Sequence, residues 1–424
     1  MLALAVCGAG LFFDLFQIVL GNVLSVVFST PPHAATSREL SFLLSSLYIG
    51  AAIGAPACGF LADRFGRKVV LTLLLFWLAA VSVCESMTPN IATLTLFRVL
   101  AGVSIGAFWP LVVAYLTDIL PPRHRGALIF AMTAFSTLGS VCGVSLLRWS
   151  TIEQPWGIEG WRSTLLFCGT GSFLAAAMFL FLPESARWLA ANGKSAVADF
   201  ACMRFEQSPG ILKDGSTIAS DATPAALQQS ERTSAASGRW QSAIFGMLFL
   251  LSPWSTVAFP ILTGVVLVQR GYTFKDALMY VAFSFLGPFI GTLAASTIVD
   301  MVARKASLVA SAIVMIASGY VFCKTYDHGW LVAAGFAYTF GCVVYVITLN
   351  VYSSETFGTR ARASSLSMAW SLNRIGAAAA PAVLLPILHR SGPSNMFLLI
   401  AGTLLLSVLL LSFAPRSRSR EPVY

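Results

Sequence analysis

Asp14, Arg98 and Arg374 are the residues from which chemistry is expected, because each is a charge set inside a long apolar run. A charge at the centre of a spanning helix costs about 2.5–3.5 kcal/mol on insertion scales, so such residues tend to face water-filled cavities and mark paths for ions or solutes. Asp14 can take up and release a proton, with an affinity set by burial and by any nearby cation. Arg98 does not usefully deprotonate and suits charge compensation or coupling. Arg374 offers a planar fork that matches a carboxylate through two parallel hydrogen bonds. Asn373 beside it, and the rings of Trp254 and Trp370, are candidates to hold a small solute, although aromatic residues in spans also serve packing and interface anchoring. Structural ion pairing, or snorkelling toward an interface, is the competing reading of each charge.

These residues need an apolar scaffold, and the composition supplies one. Of 424 residues 57% are apolar and 11% are Asp, Glu, Lys or Arg, where a soluble domain carries about 25% charge. Disorder and a disulfide-stapled scaffold are excluded by the same figures. A spanning helix needs about 20 mostly apolar residues, and twelve such stretches fall near 1–28, 39–62, 69–88, 91–117, 127–147, 162–182, 241–268, 276–299, 306–323, 329–352, 363–388 and 394–413. The runs are too long for the strands of a membrane barrel. An all-α membrane protein of twelve spans is expected.

The net charge of +9 is resolved by where the charges sit. With the N-terminus in the cytoplasm, 18 of the 27 basic residues fall in cytoplasmic loops and the tail, seven fall on the opposite side, and Arg98 and Arg374 lie in spans. That bias matches the positive-inside rule with both termini cytoplasmic, and nucleic acid is not expected as a partner. Met1 abuts the first span with no basic leader, so the segment reads as a mature helix and not a signal peptide. Seven of the eight Cys lie in apolar spans without paired spacing, and the four His lie in loops or at span ends. No metal cluster, nucleotide loop or catalytic triad is visible, so no cofactor and no enzymatic activity are expected.

An internal repeat organises the chain. Asp63-Arg64-Phe65-Gly66-Arg67-Lys68 follows span 2, and Asp300-Met301-Val302-Ala303-Arg304-Lys305 follows span 8, 237 positions later. Tyr115 and Asp118 with Arg123 and Arg125 recur at the same offset as Tyr352 and Glu355 with Arg360 and Arg362, and Gly139 recurs as Gly376. The expected domains are therefore a six-helix bundle over 1–189, a cytoplasmic linker over 190–240 rich in Ser, Ala, Asp and Gln, and a second bundle over 241–424. Repeated bundles with a solute site at their interface are a recurring transporter plan.

The loop from Gly59 to Lys68 presents a carboxylate and several cations on a glycine turn. Asp63 could dock on a helix N-terminus of the neighbouring bundle and latch one side shut. Gly59, Asp63, Arg64, Gly66, Arg67, Asp118, Arg123, Arg125, Glu355 and Arg360 form the expected gating set. This loop resembles the signature loop of the major facilitator superfamily at every characteristic position, and the span 8–9 copy is similar with Ala303 for the glycine. Phe97-Arg98-Val99-Leu100-Ala101-Gly102 with Gly106 resembles the family's helix 4 motif, and Pro183-Glu184-Ser185-Ala186-Arg187 its helix 6 exit.

Phe12-Phe13-Asp14-Leu15, and Ser371-Leu372-Asn373-Arg374-Ile375-Gly376 with Pro381, are similar to the aromatic-acid and metabolite proton symporters. That resemblance implies that Asp14, Arg98 and Arg374 serve coupling and substrate binding, with Asp14 and Arg98 the expected coupling pair and Arg374, Arg98, Asn373, Trp254 and Trp370 the expected substrate contacts. Those symporters often carry a second acid in span 1, where this chain has Gln17, and the paired glutamines of sugar porters are missing from span 7. The expected function is proton-coupled symport of a small organic anion, an aromatic carboxylate being one candidate, by alternating access. A sugar, other neutral or cationic solute porter, or a drug-type exporter, is the alternative. The expected partners are a small-molecule substrate, a proton and the lipid bilayer of a cell membrane, with the chain a monomer.

Overall fold

The computed structural model describes residues 2–29, 35–120, 125–191, 224–356 and 362–415, with side chains placed except at 22, 125, 127, 156, 191, 224–239, 296–301, 354 and 362–367. Every regular element among the described residues is helical. The first half holds α1 (Leu2–Ser29), α2 (Ser37–Phe65), α3 (Arg67–Ser86), α4 (Ile91–Ile119), α5 (Arg125–Glu153), α6 (Gly160–Leu180) and the short α7 (Ala186–Ala191). The second holds α8 (Pro224–Thr256), α9 (Ala258–Gln269), α10 (Phe274–Ser284), α11 (Leu286–Met301), α12 (Arg304–Lys324), α13 (His328–Thr356) and α14 (Arg362–Phe413). The backbone of α8 thus begins inside the stretch expected as linker, of which 192–223 lies outside the described residues.

Among the described residues, eleven helical stretches are long and apolar enough to cross a bilayer. The last, Met368–Phe413, has 46 residues and would run about 69 Å if straight, over twice a hydrocarbon core of about 30 Å. It turns back at Gly392, whose φ of 82° only glycine adopts cheaply, just before Pro393. The two arms are the eleventh and twelfth spans.

Prolines break the seventh and eighth spans, and side chains repair the backbone. Pro260 cannot donate to the Thr256 carbonyl, and α8 gives way to α9 at Val257. Pro288 deprives the Ser284 carbonyl of its helical donor at the α10–α11 junction, and the Thr339 hydroxyl donates to it instead. Pro253 frees the Phe249 carbonyl inside α8, and the Asn373 amide donates to it over 3.3 Å. Such substitution is what permits irregular helix away from water.

The two halves share packing as well as sequence. A β-carbon on Gly50 or Gly54 of α2 would overlap the Val99 or Val103 carbonyl of α4, and one on Gly102 or Gly106 would overlap Leu47 or Ala51 in return. At an offset of 237, Gly287 and Gly291 of α11 meet Phe336 and Phe340 of α13. Gly139 lies against the Phe12 carbonyl and Gly376 against that of Leu250. These faces without β-carbons let backbones approach closely, as packing in lipid requires. The outer surface exposes Phe42, Phe60, Leu73, Phe135, Leu174, Leu398 and Leu405, which suits contact with acyl chains.

The buried apolar contact between the halves is concentrated at one end. A single apolar cluster joins α1 from Phe16 to Phe28 and α2 from Leu40 to Tyr48 to Leu262, Val265, Val281, Leu384 and Leu388 of the second half. A second cluster, with Val6, Cys7 and Leu11 of α1 and Cys58 and Ala62 of α2, draws on the first half alone. Hydrogen bonds follow suit: Ser41 donates to the Pro381 carbonyl at 3.4 Å and Arg148 to that of Lys275 at 3.2 Å. The closed end is therefore the one where α1 finishes and α2 starts.

Candidate functional site between the two halves

Asp14, Gln17 and Gly21 fall on one stripe of α1, at i, i+3 and i+7. Asp14 is buried, and the charge of Arg374 on α14 reaches it from the other half. The Arg374 guanidinium lies 5.4 Å from the centre of the Trp370 ring, a cation–π arrangement. It is half-buried and makes no hydrogen bond or ion pair among the described residues. Trp370 packs edge-to-face on Phe249 at 5.7 Å, and Trp254 is half-buried on α8. Asn373 is committed to helix joining, since its amide donates to the Phe249 carbonyl and to the Ser252 hydroxyl at 3.0 Å.

Arg98 is 1% exposed and fills the space above Gly21, where any β-carbon would collide with its guanidinium. Nη1 and Nη2 both donate to the Gln17 carbonyl at 3.3 Å. Nη1 also lies 3.8 Å from Oε1 of Glu85, a fully buried carboxylate on α3. The Gln17 amide donates to Oε2 of Glu85. Sequence reasoning missed Glu85: it stands one residue from the end of α3, where an acid reads as part of a loop, although it fell inside the expected third span. Among the described residues, four carboxylates and guanidinium groups, not three, thus lie within the spans around the interface. Tyr48 of α2, also missed, is buried within electrostatic reach of both Arg98 and Arg374.

The second half carries no copy of this cluster. At an offset of 237, Glu85 corresponds to Phe322, Arg98 to Gly335 and Gln17 to Trp254, and Phe322 packs at 5.6 Å against Phe259 in an aromatic cluster with Tyr338 and Phe397. The scaffold is repeated while the charges are not.

The expected gating residues gather at the open end. Arg67 pairs with Asp118, which also accepts from the Ser185 hydroxyl at 2.6 Å and faces Arg187 at 4.0 Å. The carboxylate seated on a helix N-terminus is Glu184, accepting from the Lys68 and Ser185 amides at 2.9 Å each. Gly66, at φ 104°, leaves room for it. Asp63 is exposed and its carbonyl accepts from the Trp188 indole at 2.8 Å. Arg64 is exposed over Phe65, and Gly59 meets no atom at its β-position. In the second half Arg304 pairs with Glu355 at 2.8 Å. Arg123 and Arg360 lie outside the described residues, as do the side chains of Arg125 and Arg362.

Charged groups from both halves at an interface closed at one end are the parts of a solute carrier that alternates between two openings. The chain is 27% identical to the niacin transporter NiaP of Acinetobacter baylyi over 386 residues, covering 89% of this chain and 85% of that one. It is 24% identical to the inner membrane metabolite transport protein YgcS of Escherichia coli, covering 93% and 87%. Its fold superposes on a partially occluded, inward-open structure of the xylose transporter XylE from E. coli with a TM-score of 0.76 at 17% identity, covering 99% and 98%. The model of the Major Facilitator Superfamily matches residues 2–381, and the chain belongs to that superfamily.

Proposed function

We propose that this transporter couples entry of protons to uptake of a small organic anion, with aromatic carboxylates as the favoured class. The observation that carries the reading is Arg374: a guanidinium on the interface side of α14, stacked on Trp370 and in electrostatic reach of Asp14 from the other half. A carboxylate substrate can take both of its forward hydrogen bonds, and a ring can lie among Trp370, Trp254 and Tyr48. Arg98 supports the anion from the first half. Asp14 accepts the proton and thereby frees Arg374 for substrate. Niacin, the solute named for NiaP, is an aromatic carboxylate of this class.

With both termini cytoplasmic, as the loop charges indicate, the closed end faces outward and the structure is open to the cell interior. Arg67–Asp118 and Arg304–Glu355 then brace the cytoplasmic side of each bundle, as part of a latch that the loop from Gly59 to Lys68 completes when that side shuts. The bundles 1–189 and 241–424 rock about the site, joined by the segment 190–240, and the chain works as a monomer in a cell membrane.

Proteoliposome uptake of radiolabelled niacin, benzoate and xylose, with and without an acidic-outside gradient, tests the reading. Gradient-driven accumulation of a carboxylate that is lost in Arg374→Ala is expected. Accumulation of xylose alone would overturn it in favour of a sugar porter.

A further inference from the structure

Gln17 and Glu85 face each other with half of their hydrogen bonds made. The Gln17 amide N–H donates to Oε2 of Glu85. The amide oxygen of Gln17, Oε1, and the second carboxylate oxygen of Glu85, Oε1, are buried without a hydrogen-bond partner, and so is Arg98 Nε. Both open oxygens are acceptors, so neither can satisfy the other unless a proton stands between them. A carboxylic acid and a primary amide close into a ring of two hydrogen bonds: N–H to one carboxyl oxygen, and O–H from the other to the amide oxygen. One bond of that ring is present here, and one added proton would complete it.

We propose that Glu85 and Gln17 form a proton-binding pair, in which a proton taken from water binds Glu85 Oε1 and is donated to Gln17 Oε1. An O–H bond of hydronium breaks and leaves water, an O–H bond to Oε1 forms, the carboxylate becomes neutral, and no change of oxidation state occurs. Arg98 remains a cation and loses the anion 3.8 Å from it, so its charge becomes available to an anionic solute. The groups facing Glu85 are Gln17 from α1, Arg98 from α4 and Cys168 from α6, while Arg162 of α6 donates to the neighbouring Ser86 carbonyl at 2.7 Å and Tyr48 of α2 lies near Arg98. Among the described residues Arg98 is the one cation against the carboxylate, and 3.8 Å is too long for the hydrogen bonds of a settled structural pair. A buried network with several open polar atoms is costly, and protonation relieves two of them. The pairing also gives a reason for an amide at position 17, because an amide supplies both a donor and an acceptor to the same carboxyl group without titrating itself.

The link from this proton to solute movement rests on the proposed symport, whereas the binding of the proton does not, and the two are read separately. Infrared difference spectra of the reconstituted full-length protein between alkaline and acidic buffer report protonated carboxyl groups directly. A carboxyl C=O band that appears on acidification, survives in Asp14→Asn, is lost in Glu85→Gln and returns in the exchange variant Q17E/E85Q is expected. Glu85→Gln can keep a two-bond amide ring, so its fold is preserved. Should it nevertheless fail to fold, Gln17→Leu serves: the band moves to the higher frequency of a carboxyl group without an acceptor. A band unchanged in Glu85→Gln or unmoved in Gln17→Leu overturns the proposal. With niacin as probe, Glu85→Gln should also lower the protons moved per niacin by one. If the unaltered protein moves niacin without protons, the symport reading falls and the spectra alone decide the proton pair.

Discussion

Arg304 donates to both oxygens of Glu355, the shortest contact being 2.8 Å, and the two residues stand 237 positions beyond Arg67 and Asp118, which pair in the first half. The likeness extends to the neighbours. Lys68 donates to the Leu180 carbonyl at 2.9 Å and Lys305 to that of Ala414 at 2.5 Å, while the hydroxyls of Tyr115 and Tyr352 donate to Pro183 and Pro415. Arg304 is nearly enclosed and Glu355 is a quarter exposed. Glu355→Ala is expected to cost about 1.5–3 kcal/mol, the range for hydrogen bonds to charged groups. The measurement is the apparent Tm in detergent, and the exchanged pair R304E/E355R should recover part of the loss.

Arg374→Lys keeps the charge and discards the fork. If a carboxylate is held through two parallel hydrogen bonds, its affinity should fall at least about tenfold, or about 1.4 kcal/mol. Thermal stabilisation by niacin, titrated in detergent, reports the change through mass action. An unchanged titration would remove Arg374 from the substrate site.

Asp14→Asn fixes the α1 group in a neutral form. Gradient-driven niacin accumulation should collapse to the level reached without a gradient, while exchange of internal for external niacin stays measurable. Uphill uptake equal to that of the unaltered protein would exclude Asp14 from coupling.

Gly21→Ala tests the seat of Arg98 without touching the arginine. The added methyl would occupy the guanidinium's place, so Arg98 must swing away from the Gln17 carbonyl. The flexible side chain absorbs the change, so expression and Tm should hold within about 1 kcal/mol, while uptake drops sharply. Gly59→Ala, with no atom near its β-position, should match the original protein in stability.

Gly50→Ala and its counterpart Gly287→Ala press a methyl on backbone carbonyls or a packed hydroxyl. Neither carbonyl can rotate aside, so the helices must part, at a cost of about 1–3 kcal/mol or more. Both variants should lose folded yield and apparent Tm together, in step with the repeat.

Much of this architecture is legible in the amino-acid order because hydropathy and repetition act at long range along the chain. The run lengths predict twelve spans, and the 237-residue offset predicts which loops correspond. The fold adds that even the contacts correspond, Gly50 with Val99 and Gly287 with Phe336. What stayed hidden depends on three-dimensional neighbours. Arg304 reads as a loop cation that orients the chain, yet it is 7% exposed. Glu85 sits near a helix end, and only the packing of α1, α4 and α6 around it removes it from water. Asn373 reads as a solute contact because of its place beside Arg374, and the carbonyl freed by Pro253 claims its amide. Arg304 and Glu85 illustrate that depth in a bundle is set by neighbours and not by position in a span.

The apolar cluster that joins the halves at one end holds that end shut. To reverse the opening, the faces of α1 and α2 from Phe16 to Phe28 and from Leu40 to Tyr48 must be wetted, at about 25 cal/mol for each Å² exposed, while the other end gains a seal of its own. The difference between those two seals sets how often the empty protein visits each opening. A solute that bound both shapes equally would leave that ratio untouched, so selectivity here is a matter of which molecule can tilt the balance and not only of which one fits.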